Sequence, residues 1–111
     1  MTQKLISDTL IGLGVDPKRI KKCAKTGLVV DIMGKGKPLK TKDTIEMIAI
    51  RADIDGLLMP ENNQTLPYKS QTKYAHMCGH DGHVAMLMAA VEVVMKKLDR
   101  IPSNKTVRLL W

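Results

Sequence analysis

Apolar positions Leu5, Ile6, Leu10 and Leu13, with Thr9 among them, recur three and four residues apart along residues 2–13. That is the spacing of one face of a short helix, and Gly14 ends it. Residues 27–33 (Gly-Leu-Val-Val-Asp-Ile-Met) are β-branched and apolar between glycines, which predicts a strand. A second strand is predicted over 45–52, and the Gly/Pro/Lys-rich stretch 34–43 between the two reads as the turn that pairs them. Residues 56–74 contain Pro60 and Pro67 and hold no period, so they read as loop. Residues 84–97 then read as a helix that is apolar nearly all round, a pattern expected between two layers. Lys96 and Lys97 suit its C-terminal pole, and Pro102 follows its stop. A third strand is predicted over 105–111.

Strand, helix, strand in this order predicts a layered α/β sheet with a parallel crossover through the long helix. The last strand has no evident partner on its far side, so the sheet looks unfinished.

Charge and composition narrow the partners. The 111 residues hold 18 Lys plus Arg against 11 Asp plus Glu, a net charge of +7. The excess lies in two stretches, 18–25 and 35–42, with no aromatic residues interleaved, and only three aromatics occur in the whole chain. That reads as solvated loops rather than a nucleic-acid or membrane surface, with attraction for carboxylate-bearing substrates as the functional alternative. No apolar run approaches the ~20 residues that span a bilayer, and a soluble, cytoplasmic protein is expected. Two cysteines, Cys23 and Cys78, are too few for a disulfide scaffold.

The chemistry is concentrated in one octapeptide. His76, Cys78, His80 and His83 fall within eight residues, and these are all the histidines of the chain. If the segment ahead of the helix is extended, Cys78 and His80 point to one side and reach one ion. Imidazole nitrogen and thiolate sulfur favour zinc or another borderline transition metal over magnesium or calcium. The bland alternative is a small buried cysteine with surface histidines; the crowding of four potential ligands with Asp81 argues against it. A second group, Arg51-Ala52-Asp53-Ile54-Asp55-Gly56, closes the second strand, where α/β folds place ligands. Its two acids would orient ligating imidazoles and offset a metal's charge.

Four stretches, in order and approximate spacing, resemble one known family: Thr26 to Val30, Arg51 to Leu57, His76 to His83 with its Cys-Gly-His-Asp-x-His core, and Val107 to Trp111. The family is that of the metal-dependent amidohydrolases, which include N-acyl-amino-acid amidohydrolase, hippurate hydrolase and the auxin-conjugate hydrolases, within the aminoacylase and carboxypeptidase group of dinuclear metallopeptidases. The resemblance implies an incomplete zinc-exopeptidase-like catalytic domain, with residues 1–111 as its N-terminal portion and the dimerisation domain absent. It implies that Cys78 and His80 ligate metal, the thiolate contacting both ions of a two-metal centre, and that Asp55 is the catalytic carboxylate that orients the site. Asp53, His76, Asp81 and His83 stand behind the ligands. The metals implied are two divalent ions, zinc or manganese, with cobalt and nickel as alternatives. The substrate implied is a small N-acyl amino acid or amide conjugate, acted on by a homo-oligomer without nucleic acid or membrane.

In that family a Gln-Pro-Ala-Glu-Glu segment supplies the catalytic base directly after the strand that here ends at Trp111. Glu46, Glu61 and Glu92 do not replace it. The 111 residues alone are therefore expected to hold metal weakly and to lack useful hydrolase activity. The alternative from another class is a non-catalytic metal-binding or interaction module.

Overall fold

The computed structural model describes residues 2–40 and 46–111; Ile45, the expected start of the second strand, and the end of the second basic stretch lie outside the described residues. Helix α1 (Thr2–Gly12) buries Ile6 and Leu10, while Leu5, predicted on the same face, points to water. Gly14 follows in the left-handed region at φ +89°, a conformation glycine adopts without Cβ strain. A 3₁₀ turn (Pro17–Arg19) is capped by the Asp16 carboxylate, which accepts from the Lys18 amide at 2.9 Å.

Residues 20–23, read from sequence as part of a solvated basic loop, form strand β1 (Ile20–Cys23). It pairs antiparallel with β2 (Gly27–Met33) through a turn in which Ala24 and Lys25 both take positive φ. Only Ile20 of this strand packs against the core, so its two lysines and the cysteine hid it from a hydrophobic pattern.

Two further corrections concern the middle of the sheet. Strands β2 and β3 (Met47–Arg51) do not pair with each other. Strand β4 (Thr106–Leu110) lies between them in the order β1-β2-β4-β3, antiparallel to β2 and parallel to β3. The strand expected to lack a far partner is thus the one with partners on both sides, and among the described residues the edges of the sheet are β1 and β3. The parallel crossover from β3 through the long helix to β4 is as predicted.

That helix, α2 (His80–Lys96), starts four residues earlier than the apolar period suggested. It is packed on one face only: Leu87 and Val91 are buried, whereas Met86 is 65% and Val93 59% exposed. The expectation of a helix covered all round therefore fails in this chain. The core lies between the helices and the inward face of the sheet, from Ile6 and Leu10 through Val30, Ile32 and Leu109 to Leu87, Val91 and Trp111. Residues 56–74 carry neither helix nor strand, as expected. Leu57 and Ala75 close the segment by exchanging backbone hydrogen bonds of 2.9 and 3.0 Å. No helix among the described residues is long and apolar enough to cross a membrane.

On the other face of the sheet, Arg108 donates to both Asp31 oxygens at 2.7 and 2.8 Å. This bidentate hydrogen bond, then the guanidinium charge and those of Lys21 and Arg19, hold the Asp31 carboxyl below its ordinary 3.8 against the opposing effect of partial burial. A carboxyl depressed in the fold stabilises it above the unfolded value and loses that contribution as pH falls through the folded one. Urea midpoints measured from about pH 5 downwards are expected to fall with acid below about pH 4, and to fall less in Asp31→Asn. Water reaches both side chains, so the slope is shallow. Equal slopes for the two proteins would contradict the assignment.

After β2 the chain runs tightly against the segment before β4. A Cβ on Gly34 would overlap the carbonyl oxygens of Ile101 and Pro102. Because both obstacles are backbone, Gly34→Ala is expected to destabilise by about 1–3 kcal/mol or more, read as a lowered urea midpoint. An unchanged midpoint would show that this approach is not fixed.

Candidate metal centre

The site assembles where β3 ends and α2 begins. Strand β3 stops at Arg51, and the segment that follows carries Asp53 and Asp55 past the helix N-terminus. Gly79, in the left-handed region at φ +113°, turns the chain into α2, so that His80 is its first residue. This changes the geometry predicted for the histidine cluster. Cys78 and His80 are not alternate residues of one extended segment; instead His80 and His83, three apart on the first helical turn, share a face. Their rings lie 5.6 Å apart, centroid to centroid.

Asp53, His80 and His83 each direct one donor atom into a common space, all three atoms within 4.8 Å of one another. A carboxylate oxygen and two imidazole nitrogens suit a divalent transition ion. The Arg51 guanidinium contacts the Asp53 carboxylate and fixes its position. Asp55 Oδ1 stands 2.9 Å from His80 Nδ1, close enough for an ion pair but off the line of a hydrogen bond, and that nitrogen is buried without a hydrogen-bond partner. The His76 ring lies beside the same segment, its Nδ1 3.1 Å from the Asp55 carbonyl oxygen. Both acids thus come close to His80. They do so from an irregular segment rather than from a strand.

Cys78 is exposed and free, and among the described residues it is not part of the three-donor group. Asp81 is exposed on the first turn of α2, also outside that group. No glutamate joins it among the described residues. The residue that sequence reasoning passed over is Arg51, the partner of Asp53. The early start of α2 was signalled by Gly79 and by Asp81, an acid where the positive pole of a helix favours one. A donor set of this kind, with a buried imidazole nitrogen facing a carboxylate, fits a divalent ion.

An α/β sheet with mixed pairing thus carries carboxylate and imidazole donors at the end of one strand. The structure superposes on that of a Bacillus subtilis protein described as a dinuclear metal-binding peptidase from the M20 family, with a TM-score of 0.74 and 29% identity, over 99% of this chain and 28% of that one. The model of peptidase family M20/M25/M40 matches residues 49–111, and the chain belongs to that family. It is similar to thermostable carboxypeptidase 1 of Saccharolobus solfataricus, 38% identical over 99% of this chain and 25% of the relative. It is also similar to thermostable carboxypeptidase 2 of the same organism, 35% identical over 99% of this chain and 25% of the relative. The chain thus spans about a quarter of the length of these curated relatives.

Proposed function

We propose that these residues form the metal-holding, N-terminal portion of the catalytic domain of a cytoplasmic metal-dependent hydrolase, which cleaves the amide bond of N-acyl amino acids or related amide conjugates. The observation that carries the reading is the convergence of Asp53, His80 and His83 on one space in a chain of this family. Asp53 and His80 would hold an ion with His83 beside them, and zinc and manganese are the ions proposed. Cys78, free and exposed two residues ahead of His80, is retained as a further proposed ligand. A bound divalent ion would supply an activated water and polarise the amide carbonyl.

The protein's own groups prepare that chemistry. Asp55, its Oδ1 2.9 Å from Nδ1 of His80, sets a negative charge against the ring. His76 braces the Asp55 backbone, and Arg51 holds the Asp53 carboxylate in place. The described residues place no glutamate within the donor group to take a proton from water. A second reading, for the 111 residues by themselves, is a module that binds metal through Asp53, His80 and His83 without turnover.

Two measurements test the pair of readings. The native protein, purified from its source, is expected to release amino acid from N-acyl amino acids, to stop on chelation and to resume when zinc or manganese is restored. Hydrolysis indifferent to chelator, or no cleavage by the metal-loaded native protein, would overturn the first reading. The 111-residue chain is expected to take up zinc without detectable turnover; chelator-sensitive turnover by that chain would remove the second.

A further inference from the structure

Residues 18–25 hold five cations and no acid, and the metal centre makes no use of them. The fold sets most of them along edge strand β1. Register places Ile20 beside Val30 and Lys22 beside Leu28, so Ile20 and Lys22 lie on the helix-bearing side of the sheet. Helix α1 packs on that side, anchored where the Gln3 side-chain amide donates to the Gly27 carbonyl at 3.0 Å.

Between α1 and β1 lies a cavity of about 350 Å³. Leu28, Ile20 and Ile11 give it an apolar lining, and Lys4, Ser7 and Lys22 are its side chains with a polar end toward water; no acid lines it. Lys4, Ser7 and Ile11 fall three and four apart and so share one side of α1. An apolar hollow of roughly 300–1,000 Å³ with a few polar groups is the general form of a small-molecule site. The polar groups here are open to a ligand. Lys22 and the Ser7 hydroxyl have no side-chain partner among the described residues. Lys4 pairs with Asp8 across one exposed helical turn, a contact that yields readily to another carboxylate.

We infer that this cavity binds a small molecule carrying one carboxylate on an apolar body, with the carboxylate between Lys4, Ser7 and Lys22 and the body against Leu28, Ile20 and Ile11. Size and charge set that class. At ~30 Å³ for each water-sized group, the cavity admits about ten heavy atoms, enough for an eight-carbon carboxylate and too few for a peptide. Lys18, Lys21 and Lys25 nearby add attraction for an anion and repel a cation. None of the lining residues belongs to the Asp53, His80 and His83 group. The cavity sits at β1, three strand spacings or about 14 Å across the sheet from β3, which leads to that group. The inference is therefore independent of the reaction proposed above.

The test is an amide-resolved NMR titration of the 111-residue chain with octanoate at constant ionic strength, set against acetate and octanol. We expect saturable shifts around the cavity, at Ser7, Ile11, Ile20, Lys22 and Leu28. Octanoate is expected to bind at least about tenfold more tightly than acetate, which lacks the apolar body, and about fivefold more tightly than octanol, which lacks the charge. Lys22→Gln is expected to weaken octanoate about fivefold, and Ser7→Leu, which fills the cavity from a helical position that accepts leucine, to abolish its binding. Asp8→Asn frees Lys4 and is expected to tighten binding about twofold, a gain that misfolding does not produce. Octanol binding as tightly as octanoate would overturn the proposal, and equal binding of acetate would reduce the site to an adventitious ion only. Shifts at Asp53, His80 and His83 in place of the cavity would assign the carboxylate to the metal centre and overturn it too. So would undiminished binding in Ser7→Leu, or a chain in which α1 does not fold, because the cavity exists only with α1 against the sheet.

Discussion

Replacing His80 by alanine is expected to weaken zinc binding by the 111-residue chain about a hundredfold or more, measured by competition with a chromogenic chelator. His80 is where the site converges: one of three residues whose donor atoms lie within 4.8 Å of one another, with its Nδ1 2.9 Å from Asp55 Oδ1. Its loss removes a ligand and leaves the Asp55 carboxylate with nothing to orient. Asp55→Asn keeps the shape but cancels the charge behind the ring, and is expected to cost about tenfold to a hundredfold in affinity. His83→Ala separates the readings of that residue: a donor predicts a loss comparable to that of His80, whereas a supporting role predicts a smaller one. Circular dichroism should remain unchanged in all three variants, since none of these side chains belongs to the core. Undiminished zinc affinity in His80→Ala would remove the metal centre from this group.

Leu109→Ala is expected to lower stability by about 2–5 kcal/mol, the largest effect foreseen for the fold. Leu109 lies on the central strand, wholly buried, with Val30 beside it on one neighbour and Ile50 on the other. Truncation there opens a cavity that hydrogen-bonded strands on both sides prevent from collapsing. A domain of this size commonly has only about 5–15 kcal/mol in total, so the variant should unfold at low urea or fail to fold. Ile48→Ala, on the exposed edge, is expected to move stability by no more than about 0.5 kcal/mol. Similar urea midpoints for the two variants would mean that β4 is not the centre of the sheet.

Several features were legible in the residues. The helix over Thr2–Gly12, the strand between Gly27 and Gly34, the parallel crossover and the unstructured 56–74 segment all follow from local periodicity and from turn residues. The candidate residues stood out too, because histidine, cysteine and aspartate crowd two short stretches, although the reading set Cys78 with His80 and put Asp53 and His83 behind them; the family follows from motifs in those stretches.

The order of the sheet was not legible. Adjacent strands joined by a turn pair readily on local grounds, yet β4, more than fifty residues after β3, inserts between β2 and β3. That choice depends on contacts distant in sequence: the Asp31 and Arg108 pair and the packing of Val30 against Leu109. Strand β1 was hidden for the same reason, since one core-facing isoleucine among lysines has no pattern until β2 is beside it. Within the site, sequence determined which residues could hold an ion, whereas tertiary structure decided which of them meet. Starting α2 at His80 turns a two-residue alternation into a helical i, i+3 pair, so His83 joins His80 where Cys78 was expected. Side-chain chemistry is written residue by residue, but the direction in which a side chain points is set by the backbone beneath it, and that backbone is fixed by packing against residues far along the chain.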